Sequence, residues 1–241
     1  MENKLTGITI TKTLLLEVDI QNDFCPNGAL AVPDGDKVIP SINALAVACA
    51  AAGGVVAATQ DWHPADHVSF ASSHPGKGMG DIIDLTQDYC SQSGQQQVLW
   101  PDHCVRGTYG AAFHAGLDLK PMNLIIRKGF RQGLDSYSAF FENDRKTPTG
   151  LEGWMRGIGI ETILIGGLAT DYCVFYSAMD ARSLGFTTII VSDAVRGVGY
   201  PAGSVEKAMA DMQAAGITFS ASRDLLEAFA NARNANGAWQ R

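Results

Sequence analysis

The sequence predicts an α/β protein built on an open parallel sheet of about six strands, with helices on both faces. Two observations predict it. Short, almost wholly apolar runs recur from Lys12 to Ser220, and helical segments alternate with them. A run that is apolar on both faces suits a buried parallel strand rather than a half-solvated antiparallel one.

The elements follow in order. Lys12–Val18 is the first strand, leading into Asp19-Ile20-Gln21-Asn22-Asp23-Phe24. Val38–Ala52 is an alanine-rich helix that stops at Gly53-Gly54, as helices do at glycine. Val55–Thr59 and Met122–Arg127 are the next strands, the latter closed by Lys128-Gly129. Glu161–Leu168 is the most apolar run, and a helix over Tyr172–Leu184 follows Ala169-Thr170-Asp171. Thr187–Val191 and Gly216–Ser220 are the last strands, with a helix over Ser204–Ala215 between them. Gly76–Gln97 lacks a pattern and reads as a surface insertion, with a lid edge as one role for it. Asn231–Arg241 reads as a frayed tail. No linker interrupts the pattern, so residues 1–241 are expected to form a single domain.

Composition excludes several function classes. A hydrophobic share of 46% with 18% charged residues belongs to a folded globular chain and not to a disordered one. A net charge of -7 without a basic cluster argues against nucleic acid and anionic membranes as partners. No apolar run reaches the length of a membrane span, and Met1–Thr13 lacks the apolar core of a signal peptide. A cytoplasmic protein is expected. The five cysteines, Cys25, Cys49, Cys90, Cys104 and Cys173, are odd in number and irregularly spaced, which fits buried or catalytic thiols better than a disulfide framework.

All five histidines lie between His63 and His114. Asp61 and His63 stand two apart just past a strand, where alternate side chains project to one side. A carboxylate and an imidazole so placed suit a divalent transition metal. His103 is a further candidate ligand, and His67 is a fourth ligand or an outer support. His74 and His114 read as loop residues, and Cys104 as structural, with a thiolate ligand as the alternative. Cys173 sits in the first turn of a helix, where unpaired N–H groups favour a thiolate nucleophile; the alternative is a small buried hydrophobe. Asp171 fits an N-cap of that helix. Asp19 fits a base for the thiol or a turn cap, and Asp23 fits the cap. Lys128 fits a charge-balancing cation or a solvated strand end.

Taken together, these segments resemble the nicotinamidases of the isochorismatase-like cysteine hydrolase family. The matching stretches are Leu14-Leu15-Leu16-Glu17-Val18-Asp19-Ile20-Gln21-Asn22-Asp23-Phe24-Cys25, Asp61-Trp62-His63-Pro64-Ala65-Asp66-His67-Val68-Ser69-Phe70 and Trp100-Pro101-Asp102-His103-Cys104. Arg127-Lys128-Gly129, Tyr137-Ser138-Ala139-Phe140-Phe141 and Gly166-Gly167-Leu168-Ala169-Thr170-Asp171-Tyr172-Cys173-Val174 complete the set in the family's order, over roughly residues 12 to 222.

The resemblance implies a sheet of order 3-2-1-4-5-6, in which Asp19 and Cys173 end neighbouring strands at the topological switch point. It implies a triad of Asp19, Lys128 and Cys173, and metal ligands Asp61, His63 and His103, with His67 at a position that is a ligand in some members. It implies a cis Leu168–Ala169 peptide and an oxyanion hole from the N–H groups of Ala169 and Cys173. Phe24, Trp100 and Tyr137 are implied as walls for a flat ring. One divalent ion is expected, zinc first, with iron or manganese admitted by the same ligand set. The implied substrate is nicotinamide, with pyrazinamide as a close mimic; a homo-oligomer is left open. Isochorismatases and carbamoyl-group amidohydrolases share the triad but generally lack the metal motif. The alternatives are therefore a relative acting on another amide or a vinyl ether, or a metal-binding scaffold without catalysis. A complete triad argues against the scaffold.

Overall fold

Six apolar runs line up as one parallel sheet in a computed structural model that describes residues 8–85 and 95–237. Among these residues the chain forms β1 (Thr13–Val18), α1 (Ile39–Ala51), β2 (Val55–Asp61), β3 (Ile82–Leu85), β4 (Gln95–Val98) and β5 (Leu124–Lys128). There follow α2 (Leu151–Gly157), β6 (Thr162–Leu168), α3 (Cys173–Ser183), β7 (Thr187–Arg196), α4 (Ser204–Ala214), β8 (Thr218–Ser220) and α5 (Ser222–Gly237). The sheet order is β5-β2-β1-β6-β7-β8, which is the order the resemblance implies.

Every residue of β1 is buried, because the strand feeds two cores. Leu14, Leu16 and Val18 pack with Leu151, Met155 and Val174 of α2 and α3. On the other face, Leu15 joins Ile42 and Leu45 of α1 and Leu225 and Phe229 of α5. Burying one such side chain contributes about 1.5–3 kcal/mol, so the central strands are firmly held and their carboxyl ends are fixed in space. Pro40 in the first turn of α1 and Gly53, at φ 86°, set that helix's bounds.

Besides the unread helix α2, three elements depart from the sequence reading. The segment Gly76–Gln97 contains an antiparallel hairpin, with Ile82 opposite Val98 and Leu85 opposite Gln95; residues 86–94 lie outside the described residues. Leu85 pins the hairpin by packing on Val68. The helix α5 continues through Asn231–Gly237, where a frayed tail is expected. Leu225 and Phe229, one turn apart, dock it on the core, and helix propagates cheaply from a docked turn. Residues 238–241 lie outside the described residues. The strand β7 runs to Arg196, because an irregularity between Ile165 and Gly167 lets it pair again through Val195 and Arg196. Among the described residues no helix is long and apolar enough to cross a membrane.

Candidate active site

Four adjacent strands, β5, β2, β1 and β6, each deliver one chemical group at their carboxyl ends. Val18 lies opposite Gly167, so Asp19 emerges beside Leu168 and Ala169. Asp61 lies opposite Lys128 in the β2–β5 pairing. Cys173 opens α3 just after β6. The crevice is thus at the switch between β1 and β6, where open parallel sheets place their sites. The Leu168–Ala169 peptide is cis, as the resemblance implies.

Lys128, fully buried, ties the groups together. Its Nζ lies 2.9 Å from Asp19 Oδ2 and 2.5 Å from Asp61 Oδ1. It also donates to the Ser136 carbonyl at 2.9 Å and reaches Cys173 Sγ at 3.3 Å. Burial alone would lower its pKa, but the two carboxylates raise it well above the usual lysine value, so it stays an ammonium. Asp19 is fully buried at φ 48°, and its Oδ1 accepts a 2.6 Å hydrogen bond from the Thr59 hydroxyl. Burial pushes the Asp19 carboxyl up to about 6; Lys128 pulls it down and Asp61 pushes it up. Burial also holds the Cys173 thiol well above its ordinary value, against the pull of Lys128. The expectation that the helix start favours a resting thiolate is therefore corrected: desolvation outweighs it, and the thiol needs a base. Asp19, with a carboxylate oxygen within 4.8 Å of the sulfur, is in place to be one.

A second group of side chains adjoins the first. Donor atoms of Asp61, His63 and His103 all lie within 4.8 Å of one another, and all three residues are buried. His63 Nδ1 lies 2.8 Å from the Gly129 carbonyl and His103 Nδ1 lies 2.7 Å from the Pro101 carbonyl. A carbonyl can only accept, so both Nδ1 atoms carry the proton, which leaves Nε2 of each ring as the atom able to ligate. Asp61 gives Oδ1 to Lys128 and leaves Oδ2 3.6 Å from His63 Nε2. One carboxylate oxygen and two imidazole nitrogens, each fixed from behind, fit a divalent transition metal. Burial pushes the Asp61 carboxyl up, but Lys128 and the histidines outweigh it and hold it far below the usual range.

Between the thiol and these donors lies a pocket lined by Phe24, Trp100, Tyr137, Ala169 and Tyr172 among others. Trp100 Nε1 donates to the Tyr137 hydroxyl at 3.0 Å, and Tyr172 meets the Trp100 ring edge-on at 4.9 Å. The walls are therefore flat, rigid and locked to one another.

The isochorismatase domain family matches residues 13–224. The chain belongs to the isochorismatase family. A nicotinamidase of Acinetobacter baylyi is 45% identical over 212 residues, covering 88% of this chain and 94% of the relative. The structure of the Acinetobacter baumanii nicotinamidase pyrazinamidase superposes with a TM-score of 0.82 at 46% identity, covering 89% of this chain and 98% of the other. A pyrazinamidase of Pyrococcus horikoshii, solved in complex with zinc, matches with a TM-score of 0.69 at 34% identity, covering 87% and 99% of the two chains.

In this isochorismatase-family chain the sequence-derived residues meet, with adjustments. His67 stacks on His63 at 4.3 Å, but its donor atoms group with His63 and Asp135 instead of with Asp61 and His103. Its Nδ1 faces the Ser69 hydroxyl at 2.7 Å, and burial followed by His63 lowers it to about 4. Asp171 does not cap α3: its carboxylate accepts from Val198 N–H, Gly199 N–H and the Ser204 hydroxyl, and so moors the loop after β7. Asp23 accepts from Ala29 and Cys104 N–H groups, a turn role as expected. The sequence reading missed Thr59, Tyr172 and Asp135. Thr59 stands two before Asp61 on one strand face and was legible by that alternation. Asp135 stands two before Tyr137 and carries no local signal.

Proposed function

We propose that this isochorismatase-family enzyme is a nicotinamidase: an amidohydrolase that converts nicotinamide to nicotinate and ammonia, with pyrazinamide as a second substrate. The observation that carries the reading is that Cys173 and the Asp61–His63–His103 donors line one aromatic-walled pocket. Relatives at 45% and 46% identity support the substrate.

Catalysis starts with the proton of the Cys173 thiol passing to Asp19. The thiolate attacks the amide carbon, and the N–H groups of Ala169 and Cys173 receive the negative oxygen. Asp19 returns the proton to the leaving nitrogen, which departs as ammonia and leaves a thioester on Cys173. Asp19 then takes a proton from water, the hydroxide attacks the thioester, and nicotinate leaves while the proton returns to sulfur. Lys128 remains an ammonium and balances Asp19 and Asp61 throughout. Phe24, Trp100 and Tyr137 hold the ring and exclude water. Asp61, His63 and His103 are assigned as ligands of one divalent ion, with zinc favoured by the zinc complex of the Pyrococcus relative and His67 behind them; when bound, the ion supplies a Lewis-acid anchor for the pyridine nitrogen. The substrate class and the free Cys25, Cys49, Cys104 and Cys173 suit a reducing, cytoplasmic setting.

The test measures ammonia released from nicotinamide and from benzamide, together with the metal content of the purified protein. Nicotinamide is expected to turn over about 5–150 times faster, since an unmet polar partner costs about 1–3 kcal/mol. His63→Ala and His103→Ala are each expected to lose the metal. Equal rates on the two amides would remove the anchoring role and favour the relatives that lack a metal motif. Cys173→Ala is expected to abolish ammonia release while retaining nicotinamide binding by calorimetry; wild-type turnover there would overturn the thioester route.

A further inference from the structure

Asp135 takes no part in the reaction above, yet it is one of the most enclosed acids of the chain, at 3% exposure. Its two oxygens accept from N–H donors: Oδ1 from the Ser136 backbone at 2.8 Å and Oδ2 from Gln97 Nε2 at 3.0 Å. Its donor oxygen lies within 4.8 Å of ring nitrogens of both His63 and His67. A Cβ built on Gly129 would stand 2.7 Å from His63 Nδ1 and 3.5 Å from Asp135 Oδ1. Asp135 therefore stands beside His63 and His67, and it lines the same pocket as Asp61 and His103.

We infer that Asp135 is a positioning residue for the metal centre: a fixed negative charge beside His63 and His67 that strengthens binding of the divalent ion without ligating it. The inference rests on the assignment of Asp61, His63 and His103 as ligands. Two arguments support it. The Nδ1 proton of His63 goes to the Gly129 carbonyl, so Asp135 acts through its charge, which favours a cation held at the neighbouring ring. The second argument is charge balance. Asp19, Asp61 and the Lys128 ammonium together carry one net negative charge; a divalent ion reverses that to one net positive, and Asp135 restores neutrality. Buried sites that carry a net charge are costly. Gln97 of β4 donates to this residue, so the hairpin that looks featureless in the sequence reaches the edge of the centre.

The experiment reads the zinc dissociation constant of the full-length protein by competition with a chromophoric chelator. Asp135→Asn and Asp135→Ser are expected to weaken zinc about 10–100-fold, and Asp135→Glu, which returns the charge, to recover most of that loss. Gln97→Met, which removes the hydrogen bond and keeps the carboxylate, is expected to bind zinc within about threefold of wild type. Wild-type affinity in the Asn variant overturns the inference. So does a loss in Gln97→Met equal to that in Asp135→Asn, which would make the effect one of packing. Failure of both neutral variants to fold would assign Asp135 a structural role and likewise overturn it. A wild-type protein that holds no zinc sinks the ligand assignment itself, an outcome distinct from wild-type binding matched by the variants.

Discussion

Asp19 stands between opposing influences, and the result is a base poised for neutral pH. Burial lifts its carboxyl to about 6 although Lys128 lies 2.9 Å away. A base works only when deprotonated, so kcat/KM is expected to rise with pH up to about 6 and then level, falling roughly tenfold per pH unit below that limb. The limb belongs to the coupled cluster of Asp19, Lys128, Asp61 and Cys173 and not to one residue alone. Asp19→Asn preserves shape but cannot take the thiol proton; alkylation of Cys173 by iodoacetamide and turnover should slow together, and unchanged alkylation would remove Asp19 from the role. Lys128→Ala leaves two carboxylates buried without their cation. A loss of about 3–5 kcal/mol in denaturant unfolding is expected, beside a severe loss of turnover.

Among the elements, the junction of β1 with β6 carries the tightest constraint. Gly167 sits at φ 119°, and a Cβ there would lie 2.2 Å from the Val18 carbonyl oxygen. Gly167→Ala must push the two strands apart at the point where Asp19 and Cys173 leave them. A destabilisation of about 2–4 kcal/mol is expected, with turnover reduced even in the folded fraction; a variant with wild-type denaturation midpoint and turnover would show the junction to be compliant. The same junction explains what sequence made legible. Asp19, Lys128 and Cys173 each follow an apolar run, and period-two alternation pairs Asp61 with His63, so strand ends and family motifs located them. The α2 helix, short and containing Gly153 and Gly157, offers no stable periodicity to read. The β3–β4 hairpin gains its order from Leu85 on Val68 and from Gln97 on Asp135, partners distant in sequence. Asp171 looked like a cap because its position fits one; only the return of the loop after β7 supplies the donors it serves instead.

At the scale of the whole molecule, the central strand that positions the base also carries an acid with no evident partner. Glu17 on β1 is 1% exposed, and neither of its side-chain oxygens has a hydrogen-bond partner among the described residues. Burial, followed by Asp118, pushes its carboxyl from 4.5 up to about 8; the Cys49 thiol of α1 also senses it. The unfolded chain therefore releases this proton near pH 4.5, while the folded chain keeps it to about 8. Between those values the folded state binds more protons, so stability falls as pH rises through that window and falls no further above it. Asp19, raised to about 6, adds a loss of the same sign at the lower end. The Glu17 contribution is on the order of a few kcal/mol once complete. Glu17→Gln keeps the shape and removes the charge. Urea midpoints at pH 5 and pH 9 should therefore differ less in this variant than in wild type, with the gain concentrated at pH 9. An equal pH dependence in the two proteins would show that Glu17 is not held neutral, and that the sheet centre gives its carboxylate a solvation that burial and geometry do not account for.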